Sequence, residues 1–171
     1  MPLSMYQATV PVYVRRLTAL SAILDKAAAY TAAKKVDPAV LITARLYPDM
    51  WSLADQVRAS ANYPIRSVAR TAGVPIPQFD GKDATFDDLR ARLAWAIAFV
   101  KSVEPAKIEG TEEKEIVFPA GDTEVKMSAR DYLLTFTLPH FYFHVTTAYD
   151  ILRQSGVEIG KRDFIHELIK E

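Results

Sequence analysis

Hydrophobic positions recur at helical spacing in four long stretches of the chain. From Ser4 to about Ala33, the residues Val10, Tyr13, Leu17, Leu20, Leu24, Ala27 and Thr31 fall three or four apart, which puts them on one face of a helix. Pro11 lies near its start, where proline is tolerated in a first turn and kinks a helix already under way. Asp37-Pro38 reads as a cap followed by proline at the first helical position and predicts a short helix over Ala39 to Leu46. A second long helix is predicted from about Asp49 to Ala72, with Met50, Leu53, Val57, Ala61, Ile65 and Val68 on its apolar face, Pro64 as a bend and Gly73 as its stop. Val74-Pro75-Ile76-Pro77 through Gly81 is a connector long enough to cross the end of a bundle. Thr85 and Asp88 mark the start of a third helix, whose stripe of Phe86, Leu89, Leu93, Ile97 and Val100 is widened by Trp95 and Phe99.

Between Glu115 and Met127 the period shifts from helical to extended. Two β-rich runs flank Pro119-Ala120-Gly121-Asp122, a hairpin signal, and such a hairpin must pack on the helices to be stable. Ser128 and Asp131 repeat the cap pattern and open a fourth helix, which Gly156 closes. Its stretch Leu133 to Arg153 is the most apolar and aromatic part of the chain. Pro139 within it removes one backbone donor and crowds the Thr135 carbonyl. A tail with a turn at Gly160 and one short helix follows. Four long helices, one crossover and a minor β-hairpin predict an all-α four-helix bundle forming a single domain over residues 1–171.

Composition narrows what such a bundle does. Lys plus Arg equals Asp plus Glu at 21 each, so no net field favours nucleic acid or an anionic membrane. The doublets Arg15-Arg16 and Lys34-Lys35 read as solvated helix edges. The chain has no cysteine, which excludes disulfides, thiolate catalysis and cysteine-ligated metals. No secretion signal is visible at the N-terminus and no window approaches a bilayer span, so a soluble cytoplasmic protein is expected.

Candidate chemistry centres on His140 and His144. Four residues apart on a helix, their imidazoles stack one turn apart on one face, where neutral rings can aim lone pairs at a common metal ion. Two hydrogen-bonded core histidines are the alternative. Thr137, Thr147 and Ile151 share that face. A third ligand must come from elsewhere: His166 or Glu167 in the tail, or Asp49, Asp55 or Gln56 on the second long helix, Gln56 being a poor zinc donor. Tyr132, Tyr142 and Tyr149 are candidate pocket donors, and Gly160 to Phe164 is read either as an anion contact or as a turn held by a local salt bridge. The glycines never cluster into a phosphate loop, and no nucleophile elbow is present.

Three stretches carry a resemblance: SMYQATVPVYVRRLTALSAILDKA at the start, ARLYPDMWSLADQV in the middle and FYFHVTTAYDILRQSGVEIGKRDF near the end. They resemble a bacterial family of unknown function within the DinB-like superfamily, over nearly the whole chain. The resemblance implies a bundle running up, down, down, up, with a long crossover between the second and third helices, and a homodimer. It also implies a divalent metal, zinc or nickel, bound by one histidine on the second helix and two on the fourth, and activity as a thiol-dependent transferase or isomerase, or a hydrolase. Carried onto this chain, the fourth-helix pair is His140 and His144, and the second-helix position falls at Gln56. Two functions are therefore expected as alternatives. One is a metal-dependent enzyme with a modified site at His140, His144 and Gln56. The other is a non-catalytic homodimeric bundle that binds a small apolar ligand or a protein partner around Phe141, Tyr142 and Phe143, because three successive aromatics cannot all face one core.

Overall fold

The Ser4 hydroxyl accepts the Gln7 amide and so starts helix α1 (Met5–Lys34), which ends where Lys35 turns left-handed at φ 54°. Pro11 sits inside this helix without ending it. Asp37 caps a single turn, α2 (Pro38–Ile42), by accepting the Ala39 amide. That turn is shorter than the segment predicted to Leu46, because Arg45 leaves the helix to bridge Ser52, and the chain between them turns at residues 47–50.

Ser52, not Asp49, starts α3 (Leu53–Ala72). Its hydroxyl accepts the Asp55 amide while the Asp55 carboxylate accepts the Ser52 amide, so Asp55 serves as the reciprocal half of a capping box. Sequence reading placed this start three residues early because Asp is an equally good cap. Gly73, at φ 70°, closes α3. The connector leads to a second capping box, Thr85 with Asp88, and to α4 (Phe86–Ser102). Strands β1 (Glu115–Ala120) and β2 (Thr123–Ser128) then form the predicted antiparallel hairpin, its turn eased by Gly121 at φ 61°. Strand β1 buries Ile116 and Phe118 on one face and turns Val117 outward.

Ser128 caps a helix that changes pitch as it proceeds: α5 (Ala129–Asp131), a π-helical stretch over Tyr132–Thr137, then α6 (Leu138–Gln154). In the middle stretch the Leu138 amide reaches back to the Leu133 carbonyl, five residues away. The wide turn ends at Thr137, two residues before Pro139, which therefore enters at the second residue of α6 instead of breaking a regular helix. Gly156, at φ 93°, follows α6, and α7 (Lys161–Ile165) folds back on α1.

The computed structural model describes residues 4–165. The candidate ligands His166 and Glu167 lie outside the described residues. Helix α3 packs on both α4 and α6, and α1 packs on α4. Their facing stripes, including Leu17, Leu20 and Leu24 of α1, Leu53, Val57 and Ile65 of α3, Leu89 and Leu93 of α4, and Phe141, Val145 and Ile151 of α6, make one continuous core. Each such side chain contributes about 1.5–3 kcal/mol by leaving water. Arg16 departs from expectation: it is 7% exposed, and its guanidinium donates to the Phe164 and Ile165 carbonyls, tying α7 to α1. Asp163 likewise accepts Lys26 Nζ at 2.6 Å and the Gly160 amide at 2.8 Å, so the turn at Gly160 is held by a long-range ion pair on α1. No helix among the described residues is long and apolar enough to cross a membrane.

Candidate functional site

Helices α3 and α6 run antiparallel, and their side chains pair in reverse order: Gln56 meets His144, Tyr63 meets His140, and Ser67 meets Thr137. At the first of these, His144 Nδ1 lies 2.7 Å from Gln56 Oε1, with Gln56 only 1% and His144 6% exposed. Gln56 Nε2 donates to the Trp51 carbonyl at 3.4 Å. A carbonyl only accepts, so this contact fixes which end of the amide faces the imidazole. The His144 Nδ1 must then carry the proton, leaving the lone pair on Nε2. Burial, and secondarily the nearby His140, lower the His144 pKa from 6.5 to about 4, so the ring is neutral at pH 7.

Aromatic rings continue the contact along the helix pair. His144 stacks on Trp51, with centroids 5.3 Å apart and planes 10° from parallel, and on Tyr63 at 5.5 Å and 20°. Tyr63 also stacks on His140 at 4.8 Å and 8°, and His140 meets Phe136 at 4.5 Å. Burial lowers the His140 pKa as well. Of the three successive aromatics on α6, Phe141 is fully buried, Tyr142 is 38% exposed and Phe143 55% exposed, as their consecutive positions on a helix require.

One turn toward the hairpin lies a third contact, fully dry. Tyr13 Oη is within 3.0 Å of both Ser67 Oγ and Thr137 Oγ1, and those two hydroxyls are 3.2 Å apart. Burial raises the Tyr13 pKa well above its ordinary value, so this cluster of three hydroxyls is a neutral hydrogen-bonded knot in the core. Helical spacing groups Thr137 with the histidines, and the structure gives it this structural task.

Beside His140 opens a cavity of about 730 Å³, walled by α3, the α3–α4 connector, the hairpin turn and the π-helical stretch. Tyr63, Tyr132, Phe136 and His140 supply ring surface, and Arg66 and Arg70 supply charge. Arg70 donates to Tyr132 Oη at 2.6 Å and lies over the Phe118 ring at 5.4 Å. Burial raises the Tyr132 pKa, while the bond from Arg70 and the charges of Arg70 and Arg66 oppose that rise. The third arginine of the lining, Arg92, is 6% exposed and donates Nε and Nη2 to the two oxygens of Asp83 at 2.5 and 2.8 Å.

The structure thus brings together Gln56 and His144 in direct contact, with His140 one turn away, and leaves Asp49 exposed and Asp55 in its cap. Sequence reasoning missed Trp51, Tyr63, Arg66 and Arg70. The last three recur at three- and four-residue spacing on the face of α3 opposite its apolar stripe, a ring-and-arginine row that is the available signal.

A family model, the domain of unknown function DUF1993, matches residues 5–165. The chain belongs to the DUF1993 family. The crystal structure of a DinB family member protein from Shewanella denitrificans is similar, with 32% identity, 97% of this chain and 94% of that chain covered, and a TM-score of 0.89. The DUF1993 chain thus has a DinB-like helical fold. No curated protein matches it.

A metal centre needs a donor set, and the DUF1993 residues can be judged for one. Catalytic zinc sites use three protein ligands beside an open position. Here the amide at the second-helix position is engaged at both ends, its oxygen by His144 and its nitrogen by Trp51, which leaves two imidazoles. Among the described residues no group of three His, Asp or Glu side chains converges. Among the described residues the set thus offers two imidazoles and no third free donor.

Proposed function

We propose that this DUF1993 chain is a small-molecule-binding bundle in which the cavity beside His140 receives the ligand and the Gln56–His144 pair is a fixed structural wall behind it. The observation that supports this reading is the geometry of the pair: the amide engages the imidazole, and the imidazole stacks on Trp51 and Tyr63, one turn from His140, which lines an open cavity of ligand size. In this reading His140 contacts the ligand through a neutral ring. Pairing of two copies, which the resemblance implies, belongs to the same proposal, and the exposed rings of Phe143 and Trp51 offer apolar surface for it.

Native mass spectrometry of untagged full-length protein tests the reading. A co-purifying organic molecule lost in a Tyr63→Ala/His140→Ala variant is expected. Retention of that molecule by the variant at wild-type level would place it elsewhere and end the proposal.

A divalent-metal-dependent enzyme, with zinc or nickel at His140 and His144, is the second reading. One observation favours it: Gln56 presets His144 with its Nε2 lone pair available, as partners behind metal-bound histidines do. Elemental analysis separates the two readings. Metal below about a tenth of an equivalent, unchanged by His144→Ala, removes the metal reading, because a resident site binds near stoichiometrically.

A further inference from the structure

We infer that the cavity beside His140 selects a planar aromatic carboxylate, an inference that rests on the small-molecule reading above and names its ligand. The argument begins with charge. The chain as a whole is neutral, yet the cavity lining contains three arginines and no aspartate or glutamate. Arg92 is already neutralised by its two-pronged bond to Asp83, and its guanidinium lies 4.2 Å from the Phe79 ring centroid, so it belongs to the wall. Arg66 and Arg70 form no ion pair among the described residues. They are one turn apart on α3, and both charges bear on the Tyr132 phenol from inside the lining.

Geometry then limits the anion. Arg70 Cζ lies 5.4 Å from the Phe118 ring centroid and the side chain gives one donor to Tyr132 Oη, while a guanidinium has five donors in one plane. The donors that remain present an edge, which matches the paired oxygens of a carboxylate. Beside aliphatic residues and the amides of Asn62 and Gln78, the lining carries the rings of Tyr63, Phe79, Trp95 and Phe136, which favour a flat ligand over an extended aliphatic one. A long aliphatic acid would meet the same cations without using those faces. His140, stacked on Tyr63 at the edge of the same space, contributes a polar edge.

Calorimetric titration of the full chain at pH 7.5 with 2-naphthoate, and separately with its neutral isostere 2-naphthamide, tests this. The acid is expected to bind, with the amide weaker by about tenfold or more, the loss expected for one charge-assisted hydrogen bond. Arg66→Gln, an exposed substitution that leaves the core intact, and Arg70→Lys, which keeps the charge but loses the flat fork, should each weaken the acid and leave the amide unchanged. Equal binding of acid and amide overturns the carboxylate inference while the small-molecule reading stands. Binding of neither, up to millimolar concentration, likewise overturns the aromatic-carboxylate inference, while the small-molecule reading stands or falls on the mass-spectrometric result.

Discussion

Acid should destabilise this fold through one residue in particular. An unfolded histidine takes up its proton near pH 6.5, whereas His144, buried against Gln56, Trp51 and Tyr63, does so only near pH 4. Between those values the unfolded chain binds more protons than the folded one, so stability falls with falling pH; above 6.5 the contribution is complete. At 1.36 kcal/mol per pH unit, the gap between 6.5 and about 4 sets a ceiling of about 3 kcal/mol, of which about 2 kcal/mol is already lost at pH 5. The perturbation is His144→Gln, which does not titrate and still offers an amide N–H to Gln56 Oε1. Urea unfolding of both proteins at pH 7, 6 and 5 gives the measurement, the carboxylates being ionised throughout most of that range. Wild type should lose about 2 kcal/mol more than the variant between pH 7 and 5. Parallel loss in the two proteins would refute the reasoning, and with it the buried neutral state of the ring.

Three further outcomes follow from contacts described above. Tyr13→Phe strips the core knot of its bridging hydroxyl while Ser67 and Thr137 still face each other, so a cost of about 1–2 kcal/mol is expected, a fall of roughly 2–8 °C in Tm by calorimetry. Asp83→Asn leaves the buried Arg92 guanidinium without its carboxylate and should cost about 3 kcal/mol, visible as a lower urea midpoint at unchanged slope. Gln56→His supplies the nitrogen donor that the α3 position lacks; the variant should gain zinc-dependent thermal stabilisation of roughly 5–10 °C at a hundredfold excess over Kd, and wild type should show none.

Most of the architecture was legible because it rests on local signals. The stripes of α1, α3 and α4, the Thr85–Asp88 capping box, the hairpin with its Gly121 turn and the Gly156 stop were all read from neighbours in sequence, and the family resemblance was borne out by the DUF1993 match. The misplaced start of α3 shows the limit of such signals: Asp49 and Ser52 are equivalent caps until the Arg45–Ser52 bridge, which closes a turn over the residues between, fixes where the helix begins. Site residues were legible only in part. His140, His144 and Gln56 were singled out, but spacing along one helix says nothing about which atom of a facing helix meets which ring. The Gln56–His144 bond spans 88 positions, and its direction depends on a backbone carbonyl that no side-chain pattern encodes. Arg16 was misread for the same reason, since its partners are main-chain oxygens far along the chain.

The π-helical stretch over Tyr132–Thr137 carries a consequence for how this protein tolerates insertions and deletions. A π turn holds one residue more than an α turn, and each residue of an α-helix advances about 100° around the axis. Removing a single residue between positions 132 and 137 would let the wide turn close to an α turn while the segments before and after it keep their relative phase. Forcing regular α geometry at unchanged length would instead turn α6 by that angle relative to Tyr132, so that either Tyr132 leaves Phe118 and the cavity or both imidazoles leave α3. The wide turn thus stores one residue of slack between two halves of one helix, and a relative lacking that residue would align on both sides across a one-residue gap with the same faces in register.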